Sequence, residues 1–132
     1  MMNSRTISCS INCRVPDVYK FASNPENLPQ WVKSFCLSVK KTGDGWQMET
    51  PTGWVGIYFV PANEFGVLDH VVQLPHGQSI LNPMRVVANG DGSEIMFTLF
   101  QLPGIDDHQF AKDAEMVQAD LQSLKAVMES RN

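Results

Sequence analysis

Between Thr6 and Cys13 apolar and polar positions alternate strictly, with Ile7, Cys9, Ile11 and Cys13 on one side and Thr6, Ser8, Ser10 and Asn12 on the other. This period of two predicts a half-buried strand over residues 5–13. The pattern then changes. Pro16 suits the first turn of a helix whose apolar stripe is Val18, Tyr19, Phe21 and Ala22. Asn24-Pro25 ends it, because a residue before proline is pushed out of helical geometry. A second, very short helix is expected within Pro25 to Trp31, with Trp31 plugging the junction between the helices and a sheet.

From Phe35 onward the pattern is strand, turn, strand. Phe35, Leu37 and Val39 alternate with Cys36, Ser38 and Lys40, and Gly43-Asp44-Gly45 predicts a hairpin turn. Trp46, Met48 and Thr50 alternate with Gln47 and Glu49 as far as Pro51-Thr52-Gly53. Further strands are expected near 53–60, 67–74, 79–88 and 93–101. Asn89-Gly90-Asp91-Gly92 is the strongest turn signal, since its two glycines tolerate positive φ. Pro83 cannot donate to a ladder and predicts a bulge inside 79–88. The chain closes with an amphipathic helix over 107–129. Phe110, Ala114, Val117, Leu121, Leu124 and Met128 form its apolar face, and Asp106 with Gln109 resembles a capping box.

Composition narrows the picture. The 132 residues make one domain, 1–132, with room for a single core. A net charge of −4 excludes the broad basic surface on which nucleic-acid binding rests. No long apolar run follows Met1-Met2-Asn3-Ser4-Arg5, so neither signal peptide nor membrane span is expected. Cys9, Cys13 and Cys36 lack metal-ligand spacing, and Cys9 and Cys13 lie roughly 13 Å apart on an extended strand. Buried free thiols in a cytoplasmic protein are the expectation. His76 and His108 fall in a turn and at a helix start, where solvated or capping roles are expected. Neither metal nor cofactor is implied.

The stretches Val15-Pro16-Asp17-Val18-Tyr19-Lys20-Phe21 and Asn24-Pro25-Glu26-Asn27-Leu28-Pro29-Gln30-Trp31 resemble the entry of the START-like (SRPBCC, Bet v 1-like) superfamily. Asn63 to His70, Pro83 to Val87, Asn89 to Glu94 and Asp120-Leu121 to Leu124-Lys125 are similar to its small bacterial polyketide cyclase-like branch. The resemblance covers nearly the whole chain. It implies an α+β helix-grip fold, in which a curved antiparallel sheet of about seven strands wraps a long C-terminal helix, with two short helices after the first strand. It also implies a cavity for a hydrophobic or amphipathic ligand such as a lipid, polyketide or aromatic compound. It does not imply a reaction.

Strand pairing assigns side chains to faces. Pairing Val60 with Val67, Leu74 with Ser79 and Ala88 with Ser93 puts Phe59, His70, Arg85, Glu94 and Met96 on one face. That face is taken as concave because Val55, Ile57 and Phe59 form an apolar row. With Leu121 of the terminal helix, these residues are the expected ligand-binding set. Arg85 is expected to pair with Glu94, a ligand anion or water, because an unpartnered buried guanidinium is costly.

Three functions compete. The first is a carrier or sensor of a small hydrophobic ligand. The second is a cyclase- or dehydratase-like enzyme acting through His70, Arg85 and Glu94. For catalysis the plainer reading is favoured, in which Arg85 and Glu94 form a structural ion pair and His70 bonds to backbone. The third is an assembly module, with a homodimer formed through an outer sheet face carrying Trp54, Tyr58, Ile95, Phe97 and Leu99.

Overall fold

The computed structural model describes residues 1–43 and 45–131. Among these residues eight strands and three α-helices follow the expected order, one strand more than the seven expected. β1 (Ser4–Ile11) leads into α1 (Val15–Ala22), a 3-10 turn (Pro25–Asn27) and α2 (Leu28–Trp31). The strands β2 (Ser38–Thr42), β3 (Gly45–Thr50), β4 (Gly53–Phe59), β5 (His70–Gln73), β6 (Ser79–Asn82), β7 (Met84–Asn89) and β8 (Gly92–Phe100) come next, and α3 (Asp107–Ser130) ends the chain. This is the α+β helix-grip arrangement.

Local chemistry accounts for the boundaries. Pro16 sits in the first turn of α1, and Asn24 caps the following turn by accepting a hydrogen bond from the Glu26 N–H at 3.1 Å. The Asp106 side chain caps α3 by accepting from the Gln109 N–H at 2.8 Å. Only half of the expected capping box forms, because the Gln109 side chain donates forward to Asp113. β2 starts at Ser38 and not at Phe35, and Leu37 is exposed. Of the turn expected at Gly43-Asp44-Gly45, Asp44 lies outside the described residues. All three cysteines are buried thiols, and burial raises the Cys36 thiol to about 11.

The expected strand over 79–88 is two strands. β6 pairs with β5 in a five-stranded ladder, β2-β3-β4-β5-β6, whereas β7 pairs with β8 in a three-stranded ladder, β1-β8-β7. Pro83 marks the break. The ladders are stitched across it by Leu68 N–H to Met84 O, Val86 N–H to Gly66 O and Thr98 N–H to Pro83 O, all between 2.8 and 2.9 Å. The Asp69 carboxylate accepts from the Met84 N–H at 2.8 Å and pairs with Arg85 at 3.0 Å. Asn63 organises the preceding loop, accepting from the Phe65 and Val67 N–H groups and donating to the Pro61 and Val67 carbonyls.

α3 lies across the concave side. Leu121 and Leu124 are fully buried, with Phe110, Ala114 and Met128 completing its inner stripe. Its C-terminal half is fastened to β1 and the segment after it. Lys125 Nζ donates to Ser10 O, the Asn12 N–H donates to Glu129 Oε2, and Cys13 Sγ donates to Met128 O.

Two stability outcomes follow. Leu121→Ala should cost about 2–5 kcal/mol in a denaturant melt, and an unchanged midpoint would place α3 wrongly. Gly66 has φ +71, and an added Cβ would collide with the Val86 carbonyl at the stitch, whereas Gly77 has φ +97 in open space. Gly66→Ala should therefore cost at least about 2 kcal/mol, clearly more than Gly77→Ala, for which backbone strain alone is of order 1–2 kcal/mol.

Candidate functional site: an apolar cavity between sheet and helix

A cavity of about 350 Å³ lies between the five-stranded ladder, the end of β8 and the N-terminal half of α3. Its size falls within the range of small-molecule sites. The alternation of each strand decides what reaches it. Ile57 and Phe59 of β4, His70 and Val72 of β5, Ile80 and Asn82 of β6, and Phe97 and Leu99 of β8 face inward. Leu28, Trp31, Val32, Ser34 and Phe35 close one end, and Asp113, Met116, Val117, Asp120 and Leu121 form the helix wall. Leu81 and Met116 both line the cavity and are exposed, so the mouth opens between β6 and α3.

Of the six residues expected to bind ligand, Phe59, His70 and Leu121 line this cavity, and Arg85, Glu94 and Met96 do not. The reason is the register after β5. Ser79 pairs with Gln73 and not with Leu74, so the connecting loop is one residue longer, closed by Leu74 N–H to Gln78 O and turned at Gly77. A slip of one exchanges faces for every following strand. Ile80, Asn82, Met84 and Val86 consequently point inward, and the alternation runs through Pro83 without a change of face. The β4–β5 register also differs, with Phe59 opposite His70, but by two residues, which preserves the face.

Arg85 is thus exposed and pairs with Asp69, not Glu94. Its Nε and Nη2 donate to the two Asp69 oxygens at 3.2 and 3.0 Å, and this bond holds the Asp69 carboxyl below its ordinary value. Glu94 instead accepts from Ser10 Oγ at 2.6 Å and Asn89 Nδ2 at 3.2 Å. Met96 stands opposite Arg85 on the same outer face. Ile95 is fully buried, and Phe97 and Leu99 turn into the cavity, which reduces the expected outer apolar patch. Trp54 and Tyr58 do stand outward, with Lys40 Nζ 4.1 Å from the Trp54 ring.

His70 is the best-defined polar group of the cavity. Nδ1 lies 3.0 Å from Leu68 O, a carbonyl that only accepts, so this nitrogen carries the proton. Nε2 is then an acceptor, with Asn82 Nδ2 at 3.5 Å. The imidazole lies beside Phe59 and Phe97, with ring centroids 5.0 and 5.9 Å away. Burial is the main cause that lowers its pKa, outweighing the Leu68 carbonyl and Asp69, which raise it. It therefore stays neutral at neutral pH.

The opposite wall carries groups not singled out from the sequence. Both Asp120 oxygens accept from Ser34, from its N–H at 3.2 Å and from its hydroxyl at 2.7 Å. Burial raises the Asp120 carboxyl, and the two Ser34 bonds oppose that rise. Trp31 is buried as expected, but its indole N–H is left without a hydrogen-bond partner. The signal for Asp120 was present, since it falls between Val117 and Leu121 on the inner side of α3. Asn82 was hidden by the register. A second cleft, of about 430 Å³, lies between α1 and the end of α3, but Asp17, Lys20 and Arg131 make its walls polar.

No family model matches the sequence, and no curated protein matches it. Solved structures do. A START superfamily protein from Mycobacterium smegmatis superposes with a TM-score of 0.71 at 15% identity, over 99% of this chain and 99% of its own. Ara h 8.0201 gives 0.73 at 12% identity over 98% and 99%. DynU16, a protein of the dynemicin biosynthetic locus, gives 0.74 at 14% identity over 98% of this chain and 48% of its own. The chain has the START-like, Bet v 1-like helix-grip fold. No helix among the described residues is long and apolar enough to cross a membrane.

A neutral buried histidine predicts a pH dependence. Its folded pKa lies below the ordinary 6.5, so between these values the unfolded chain binds more protons and stability falls as pH falls. The slope in that window should approach about 1.4 kcal/mol per pH unit at most. His70→Phe should remove this contribution in urea melts across mildly acidic pH, and an unchanged slope would refute the assignment.

Proposed function

We propose that this protein binds a small hydrophobic or amphipathic ligand in the cavity between the sheet and α3, as a carrier or sensor. The observation that carries this reading is the cavity itself, which is of ligand size and mostly apolar, with polar atoms from a few residues. Aromatic side chains contribute strongly to its walls, through Trp31, Phe35, Phe59, Phe97 and Phe100. Such surfaces suit flat or flexible apolar molecules, whose burial releases ordered water and gains about 25 cal/mol for each Å² covered.

For the alternative of a cyclase-like reaction, only His70 of the set His70, Arg85 and Glu94 lines the cavity. Arg85 and Glu94 are turned away from the cavity and engaged by Asp69 and by Ser10 with Asn89. An unaided neutral imidazole is a modest base, and Asp69, its chain neighbour, is committed to Arg85 and to the Met84 N–H.

The test is titration with N-phenyl-1-naphthylamine, an uncharged probe that brightens in apolar surroundings. Saturable uptake by the folded protein is expected. Val117→Trp, which places an indole at the cavity wall, should weaken uptake at least about tenfold with the thermal midpoint retained. Absence of saturable uptake by the folded wild type would overturn the reading.

A further inference from the structure

We propose that the cavity selects by charge, admitting uncharged hydroxyl-bearing aromatic molecules and excluding carboxylate anions of the same shape, with Asp113 and Asp120 as the residues that set this preference. The proposal rests on the ligand-binding reading above and deepens it. Among the described residues no lysine or arginine lines the cavity, whereas two carboxylates do, both on the same face of α3. They are seven positions apart, roughly 10 Å along the helix. Asp113 lies within one turn of Met116 at the mouth, so a ligand passes one carboxylate on entering and reaches the second inside.

An anion placed here loses its water and meets two carboxyl groups. A carboxylate bound in an apolar site needs a cation or several converging N–H groups to offset desolvation. The candidates for that role are few. His70 stays neutral because it is buried, and its Nδ1 proton is already given to Leu68 O. The Arg85 guanidinium, which sequence reasoning placed in the cavity, is outside it on Asp69. What remains is the neutral amide donor of Asn82.

These neutral groups suit an uncharged partner. The His70 Nε2 lone pair can accept from a hydroxyl, and Asn82 Nδ2 stands only 3.5 Å from that nitrogen, a long contact that a ligand hydroxyl could replace. His70 Nε2 and the Asn82 amide can therefore be satisfied by a hydroxyl or carbonyl on an aromatic frame.

The experiment compares three probes of one skeleton by calorimetry at neutral pH: 2-naphthol, methyl 2-naphthoate and 2-naphthoate. Both uncharged probes should bind at least about tenfold more tightly than the anion, and a smaller ratio overturns the proposal. The ester separates charge from shape, since it differs from the anion by a methyl group alone. Asp113→Asn with Asp120→Asn should bring the ratio down to about threefold, and an unchanged ratio also overturns it. Should the double variant fail to fold, Asp113→Asn alone must lower the ratio measurably. If neither uncharged probe binds while N-phenyl-1-naphthylamine does, the charge proposal falls and the cavity reading stands. If none of the probes binds, the cavity reading falls with it.

Discussion

The arrangement depends on one seam, where the backbone around Pro83 passes from one ladder to the other. A proline has no N–H to give, so a continuous ladder cannot run through this point. The segment Gly66 to Asp69 supplies what is missing. Its backbone bonds to Met84 and Val86, and the Asp69 carboxylate takes the Met84 N–H. With the ladders held together, His70 of β5 and Phe97 of β8 meet at 5.9 Å although their strands are not neighbours. The concave wall exists because this seam closes. Arg85, expected from the sequence to bind ligand, instead joins Asp69 in its support.

α3 divides into two halves with different duties. The C-terminal half presents Leu121, Leu124 and Met128 to the core and is fastened to the first strand region by Lys125, Glu129 and the Met128 carbonyl. The stretch from Asp113 to Asp120 places Asp113, Met116, Val117 and Asp120 along the cavity. A single straight helix laid across a twisted sheet fits closely at one end and diverges at the other. The space is left where it diverges. Fixing the far end lets the open end remain unfilled without loss of the fold.

Local periodicity made the elements legible, and long-range register did not. The alternation of β1, the proline-started α1, the Asn89 to Gly92 turn and the stripe of α3 each follow from neighbouring residues, and each formed where expected. Phe59 and His70 were placed on the correct face because an error of two residues leaves parity unchanged. The β5–β6 loop differed by one residue, and that sufficed to exchange Arg85, Glu94 and Met96 for Asn82, Met84 and Phe97. Nothing in Leu74 to Ser79 distinguishes the two closures by composition. The choice is made by the apolar sets of β6 to β8, since only the longer loop buries Met84, Val86 and Ile95 together. Treating residues 79–101 as one burial problem would have recovered it.

The interior of the cavity is not what stability alone would select. A buried imidazole held neutral, an indole N–H with no acceptor and a carboxylate sheltered by Ser34 each carry a desolvation cost, of order 1–3 kcal/mol for an unsatisfied group. Apolar side chains at these positions would pack with less penalty, and volume left empty forfeits dispersion contacts as well. The fold tolerates the costs because its rigid parts lie elsewhere, at the seam and along the fastened half of α3. A buried polar group becomes less costly once complementary atoms face it, and this is the physical basis of the proposed binding. A ligand that satisfied His70 Nε2 and Asn82 together would gain more than its apolar area supplies, and it would stabilise the native state by mass action, as the logarithm of its concentration over its dissociation constant.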